Sequence, residues 1–152
     1  MHQAIWPTDI RRSRRTKKLI GAAAAFYNKC GVTCAQCKSA VNPEEKMRKR
    51  GCLGPVDEAW TMTGCPLCSG LSKDCGLCHG TNKITTRECP RALARLSEVS
   101  WLFSHFMAYK NSKWLAWPNG KGRFYQPIRL ISAFDLWARL DNRWNPKNEL
   151  EE

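Results

Sequence analysis

Apolar residues recur at helical spacing in the C-terminal half of the chain. In residues 90–110 they return every three or four positions, and a second stripe runs from Pro127 to about Arg143. This periodicity predicts two amphipathic helices, and the turn-forming segment WPNGKG (117–122) lies between them. We therefore expect a helical hairpin that carries most of the hydrophobic core. The stripes are Leu93, Leu96, Val99, Phe103, Phe106 and Met107, then Ile128, Ile131, Phe134, Trp137 and Leu140.

Residues 1–29 have the pattern of a basic helix. Thr8 or Asp9 is a suitable N-cap, and Gly31 stands where a C-terminal cap is expected. The segment RRSRRTKK in the first half is charged on every side and cannot pack by itself. The second half, LIGAAAAFY (19–27), offers an apolar surface that can pack.

Residues 30–89 contain all nine cysteines and show little periodicity. A segment with so few core-forming residues needs bound metal for stability. The predicted fold class is therefore mainly α, with a zinc-stabilised irregular or β-hairpin insert. The predicted regions are a basic helix or arm (1–29), the cysteine-rich insert (30–89), the helical hairpin (90–145) and a frayed polar tail (146–152).

The strongest motif in the chain is CPLCSGLSKDCGLCHG, residues 65–80. Two C-x-x-C turns, each followed by a glycine that allows a positive φ, present four thiolates to one tetrahedral ion. The spacing predicts a structural zinc site, and an iron–sulfur cluster or a disulfide role are the alternatives. The predicted ligands are Cys65, Cys68, Cys75 and Cys78.

CPLCSG and CGLCHG resemble the C-x-x-C-x-G repeats in the cysteine-rich region of J-domain co-chaperones. The resemblance covers residues 65–80 only, and the chain has no J-domain. In the co-chaperones four such repeats pair around two zinc ions, whereas here two repeats have the full pattern. The resemblance implies zinc binding and does not imply co-chaperone activity.

A second site of four cysteines is a further hypothesis, with Cys30, Cys34, Cys37 and Cys52 as its ligands. Cys89 is then spare, or replaces a weaker ligand such as Cys52. The spacing C-x-x-x-C-x-x-C also occurs in radical-SAM enzymes, but the chain is too short to build the barrel that those enzymes need. The sequence thus predicts one zinc ion and leaves a second open.

The motifs of this chain do not indicate an enzyme or a small-molecule substrate. Catalytic zinc usually has histidine or carboxylate ligands and an open position, whereas the ligands here are thiolates. The chain has three histidines, of which His2 is terminal. We expect His79 to face solvent within the second cysteine turn and His105 to be partly packed in a helix.

Positive charge is concentrated in the N-terminal third, which carries most of the net charge of +12. Clustered lysine and arginine bind phosphate backbones through counterion release, without reading sequence. Seven tryptophans could include a base-stacking platform, although most are expected in the core. The chain is therefore predicted to bind nucleic acid. The predicted contacts are Arg11, Arg12, Arg14, Arg15, Lys17 and Lys18 in the arm, and Lys46, Arg48, Lys49 and Arg50 between the cysteine groups.

The C-terminal segment is similar to the C-terminal halves of small tail-region proteins of tailed phages. The similarity rests on the helix start at Cys89, Pro90 and Arg91, the turn from Pro118 to Gly122, and Gln126 with Pro127 before the last helix. It implies a phage origin. A zinc-bound regulator or genome-associated factor is then the first hypothesis. The alternative is a virion or tail-assembly accessory that binds phage structural proteins through apolar residues such as Trp114 and Trp117.

The hydropathy pattern also bears on location. No apolar run approaches the 18 residues that a membrane span requires. A basic start followed by LIGAAAAFY superficially resembles a signal peptide, but the run is mostly alanine. We expect the protein in the host cytoplasm or the virion, with no membrane partner.

Overall fold

The computed structural model describes residues 14–112, 117–123 and 126–146. This part of the chain is mainly helical and includes one small antiparallel sheet, which agrees with the predicted class. None of the helices in these ranges is long and apolar enough to cross a membrane. The elements are α1 (Arg14–Phe26), α2 (Cys34–Lys38), α3 (Pro43–Lys49), β1 (Trp60–Thr63), β2 (Lys83–Thr86), α4 (Pro90–Ala94), α5 (Ser97–Asn111) and α6 (Ile128–Trp144).

Helix α1 ends earlier than its sequence predicts. Asn28 adopts a left-handed conformation (φ 54°), and the Lys29 N–H donates to the Ala24 carbonyl at 2.7 Å. With the Asn28 N–H on the Ala25 carbonyl, these bonds form a Schellman motif. The prediction of Gly31 as the cap is therefore wrong, because asparagine also tolerates this conformation. The predicted N-caps, Thr8 and Asp9, lie outside the described residues.

The second half of α1 is buried because its side chains are small. Ile20 and Ala22–Ala25 are almost fully buried. At Gly21 a methyl group would lie 3.0 Å from Thr86 and 3.1 Å from Leu93, so this face lies directly against β2 and α4. The alanine-rich run is thus a packing surface that allows backbones to approach closely.

The predicted first C-terminal helix is two helices. Leu96 has an extended backbone (φ −60°, ψ 130°) and separates α4 from α5. Its side chain is 40% exposed, so it leaves the apolar stripe, while Leu93 and Val99 on either side remain buried. No glycine or proline marks the break, which is why periodicity alone does not reveal it.

The core is aromatic and is built by three helices. Trp137 of α6 is fully buried, and its indole N–H donates to the Leu19 carbonyl of α1 at 3.0 Å. Phe106 of α5 meets Trp137 edge-on with ring centroids 5.7 Å apart, and Phe26 stacks on Phe103 at 3.9 Å. Aromatic side chains of α5 and α6 therefore contact each other, and α1 joins them as a third partner.

A buried ion pair links α5 to α6. Asp141 is 3% exposed, and its carboxylate accepts from the Lys110 ammonium at 2.7–2.8 Å and from the Asn145 amide at 3.1 Å. Burial by itself raises the pKa of Asp141, but the bonds from Lys110 and Asn145 outweigh it and lower that pKa below the ordinary value. The ionised carboxylate therefore stabilises the folded state above about pH 4.

We predict that Asp141→Asn lowers the free energy of unfolding at pH 7 by about 2 kcal/mol. This is less than for a fully buried pair, because Lys110 reaches solvent. Because the folded pKa is depressed, the stabilisation is lost as pH falls through it, and the variant and the parent converge in acid. Urea titrations at pH 7 and pH 3 measure both effects.

The control is Asp135→Asn, which removes the more exposed ion pair with Arg123 and should lower the free energy of unfolding by less than about 1 kcal/mol. Equal losses in the two variants would contradict the assignment.

Candidate metal centre

A β-hairpin positions the main cysteine group. Strand β1 pairs antiparallel with β2, with Thr63 opposite Lys83, and the loop between them contains both C-x-x-C turns. At the mouth of this loop the Gly64 N–H donates to the Asn82 carbonyl at 2.7 Å, and the Cys65 N–H donates to the Asn82 side chain at 2.7 Å. The sheet thus holds the two ends of the loop together.

The four cysteines of the loop converge on one point. The sulfur atoms of Cys65, Cys68, Cys75 and Cys78, called here the hairpin quartet, all lie within 4.8 Å of one another. The Sγ–Sγ distances are 3.7 Å for Cys65 and Cys75 and 3.5 Å for Cys68 and Cys78. In a tetrahedral zinc thiolate with Zn–S of about 2.3 Å, neighbouring sulfurs are about 3.8 Å apart. The quartet therefore has the dimensions of a zinc site, as its spacing in sequence predicts.

The two turns have the same backbone geometry. The Ser69 N–H donates to the Cys65 carbonyl at 2.8 Å, and the His79 N–H donates to the Cys75 carbonyl at 2.7 Å. Ser69 and His79 both have φ near 50°, and the glycine after each has φ of 85° or 77°. Each turn therefore needs two successive left-handed residues, and Gly70 and Gly80 supply the second without strain.

The quartet rests on the hydrophobic core. Cys65 and Leu77 are 0% and 1% exposed and belong to the cluster that also contains Trp137. On the other side, the Arg143 guanidinium of α6 donates to the Gly64 and Thr63 carbonyls just before Cys65. These contacts fix the loop to the helices, so a bound ion would be attached to the rest of the fold.

The thiols of the quartet differ in acidity. Burial raises the pKa of Cys65 and of Cys78. Burial also acts on Cys68, but bonds from the Gly70 N–H and from neighbouring thiols outweigh it and lower the pKa of Cys68 to about 7. The Cys68 thiol therefore loses its proton more readily than those of Cys65 and Cys78, and metal binding would release the protons that remain.

The remaining cysteines separate into two places. Cys30 is 4% exposed, packs with Ala24 and Ala25, and directs its thiol to the Val32 carbonyl at 3.4 Å. Cys34, Cys37, Cys52 and Cys89 instead line one cavity of about 100 Å³. Cys30 is not among the described residues that line this cavity. The structure thus keeps three of the four residues proposed for the second site together, with Cys89 in the place given to Cys30.

Ion pairs with acidic residues neutralise part of the positive charge of the predicted basic residues. Arg11 and Arg12 lie outside the described residues. Lys18 is paired with Glu88 at 2.6 Å, and the pairs Arg48–Glu44 and Lys49–Glu45 span one helical turn at 3.0 and 2.6 Å. Arg50 donates to the Cys37 sulfur at 3.3 Å, while Arg15 is exposed and Lys46 is half-buried. The segment KMRKR is therefore much less positive than it looks in sequence.

A basic groove of about 400 Å³ lies between the first turn of α1 and the end of β2. Arg14, Lys17 and Lys18 line it from one helix face, as their i, i+3, i+4 spacing requires. Arg87 lines the opposite side, where it approaches Asp57 at 4.0 Å. Within the described ranges, Arg14 and Lys17 have no ion-pair partner. Arg87 was not predicted, because it lies in a charge-balanced part of the sequence.

The aromatic and histidine residues take mostly structural positions. Trp117 is 7% exposed and stacks on Phe134 at 5.4 Å, so it is not the exposed contact that the assembly hypothesis names, and Trp114 lies outside the described residues. His79 is exposed, as expected. His105 is half-buried and lies 4.1 Å from the ring of Trp101.

We predict that Gly80→Ala weakens zinc binding at least tenfold. A methyl group there would lie 2.6 Å from the Lys73 carbonyl oxygen, which must move and distort the second turn. Gly31→Ala is the matched control, since Gly31 has a similar φ of 67° but open space around it. Both variants bear the left-handed strain of about 1–2 kcal/mol. Competition with a chelator measures the affinity, and equal affinities in the two variants would show that the turn tolerates the clash.

Neither a protein-family model, a curated protein nor a solved structure matches this chain.

Proposed function

We propose that the hairpin quartet binds one structural zinc ion. The supporting observation is the set of four sulfurs within 4.8 Å. Four thiolates fill the tetrahedral shell of zinc and leave no position for a substrate, which favours a structural role over a catalytic one. The metal would close the loop between β1 and β2, which has few apolar side chains of its own to hold it.

We predict that Cys75→Ser removes one equivalent of zinc per chain relative to the parent. Serine cannot replace a buried thiolate, and the loss of the ion should also lower the melting temperature, because zinc binding contributes to folding free energy. Inductively coupled plasma mass spectrometry measures the metal. Ser72→Ala, in the same loop but not a ligand, is the control. An unchanged zinc content in Cys75→Ser would refute the proposal.

We further propose that the protein binds nucleic acid through the basic groove and the arm that precedes it. The main supporting observation is that Arg14 and Lys17 line the groove and have no carboxylate partner in the described ranges. Arg87, which directly follows β2 and approaches Asp57 at 4.0 Å, adds a third cation. A row of cations along one helix face suits the phosphates of a strand or duplex and reads no base sequence.

The packing of α1 would hold the charges of Arg14 and Lys17 in a fixed direction. Its buried second half lies against β2 and α4, while Lys18 is held by Glu88 at 2.6 Å. Arg14, one helical turn before Lys18, and Lys17, directly before it, are thereby kept on the groove side. Such preorganisation lowers the entropy lost when phosphates bind.

We predict that Arg14→Ala with Lys17→Ala weakens binding to labelled DNA and RNA. Each lost phosphate contact reduces the slope of log affinity against log salt by about 0.9 for a duplex, so the double variant should lose roughly 2. The matched control is Arg48→Ala with Lys49→Ala, which removes the same formal charge from residues already paired with Glu44 and Glu45. Binding measured by fluorescence anisotropy from about 50 to 300 mM salt gives both slopes.

The outcomes separate the two functional classes. A steep slope that falls in the groove variant and not in the control supports a regulator or genome-associated factor. Equal losses in both variants would mean that net charge, and not the groove, attracts the nucleic acid. No binding at low salt would overturn the proposal and favour a virion or tail-assembly accessory that acts through protein contacts.

A further inference from the structure

The cavity between α2, α3 and the start of α4 brings four cysteines together from three distant parts of the chain. Cys34 and Cys37 lie on α2, Cys52 follows α3, and Cys89 precedes α4; all four line the cavity. The Cys89 N–H donates to the Gly51 carbonyl at 3.2 Å, which places Cys89 beside Cys52. The meeting of these residues is a product of tertiary structure, since 55 positions separate Cys34 from Cys89 in the sequence.

The close approach at Gly51 shows how tightly these segments meet. Gly51 has φ 68°, and a methyl group on it would lie 2.7 Å from the Arg87 carbonyl oxygen and 3.1 Å from the Glu88 Cα. Only glycine fits at this point. The backbone is thus shaped to bring Cys52 against the chain that leads into Cys89.

Two guanidinium groups point at the sulfurs of this cavity. Arg95 donates to the Cys34 sulfur at 3.1 Å, and Arg50 donates to the Cys37 sulfur at 3.3 Å. A complex of one divalent ion with four thiolates carries a net charge of −2, which two arginines balance. Guanidinium donors stabilise thiolates far more than neutral thiols, because the bond is charge-assisted.

The helices around the cavity have little else to hold them. No residue of α3 is buried, and Cys37 is the one buried residue of α2. Helices of five and seven residues are unstable alone in water. A segment with so few buried side chains needs a cross-link to stay folded, and the four sulfurs lie where this segment meets the rest of the fold.

We propose that Cys34, Cys37, Cys52 and Cys89 bind a second structural zinc ion, here called the interhelix site. In the described part of the chain, the hairpin quartet is the one group of three or more possible ligands that is compact enough to hold a metal ion without movement. Binding at the interhelix site therefore draws α2 and α3 inward, and their sparse packing allows this movement. The ion would fasten residues 33–52 to the start of α4.

The first test counts metal ions in the full-length protein. Parent protein reduced and titrated with Co²⁺ should saturate at two equivalents per chain, with the visible bands of tetrahedral thiolate coordination for both. Cys34→Ser and Cys89→Ser should each bind one equivalent, and Cys75→Ser should also bind one. The matched control is Cys30→Ser, which alters a buried cysteine outside the cavity and should still bind two.

The same titration separates failure of this proposal from failure at the hairpin quartet. Saturation of the parent at one equivalent, lost in Cys75→Ser and retained in Cys34→Ser, would overturn the interhelix site alone. Loss of one equivalent of metal in Cys30→Ser would show that Cys30 is a ligand of the second site, which would contradict the proposed set of four cysteines. A disulfide between Cys52 and Cys89 in protein purified without oxidant, found by peptide mass spectrometry, would also overturn it.

Hydrogen exchange on the parent protein provides a readout that needs no substitution. Filling the second equivalent should slow amide exchange in residues 33–52 at least tenfold, while filling the first should protect residues 64–82. Protection confined to the hairpin loop after both additions would contradict the proposal.

Discussion

The burial of the small-residue face of α1 is the interaction on which the rest of the fold depends. Gly21 and the alanines after it let the helix backbone lie against β2 and α4, and Leu19 accepts the hydrogen bond from Trp137. One helix therefore contacts the cysteine-rich insert and both parts of the C-terminal helical region. The apolar area of a single alanine is small, but close approach brings the larger side chains of all three elements into one core.

This packing connects the metal centre to the charged surface. Strand β2 leads from the hairpin quartet at one end to Arg87 and Glu88 at the other, and Glu88 is paired with Lys18 of α1. An ion that holds the hairpin closed would thus also hold one wall of the basic groove. Metal binding and phosphate binding are separate proposals, yet the sheet gives them a shared structural support.

Charge in this protein depends on neighbours as much as on composition. The two predicted basic clusters look equivalent in sequence, but Arg48 and Lys49 are paired with acidic residues one helical turn earlier. Arg50 and Arg95 face sulfur atoms instead of solvent anions. Of the basic residues predicted to contact a polyanion, Arg14 and Lys17 line the groove without an ion-pair partner in the described ranges.

The sequence by itself determined the elements that depend on local chemistry. The hairpin quartet follows from two C-x-x-C-x-G turns, whose glycines permit the required φ, and α6 follows from its apolar period. Tertiary structure alone decided the features that join distant residues. The break at Leu96 carries no local signal. Asn28 and Gly31 both tolerate a positive φ, and the sequence does not show which of them caps α1. The grouping of Cys89 with Cys34, and not Cys30, arises because α1 buries Cys30 among its alanines while the turn at Gly51 brings Cys52 against the chain before α4. Backbone packing decides which cysteines meet across such separations, and spacing in the sequence does not encode it.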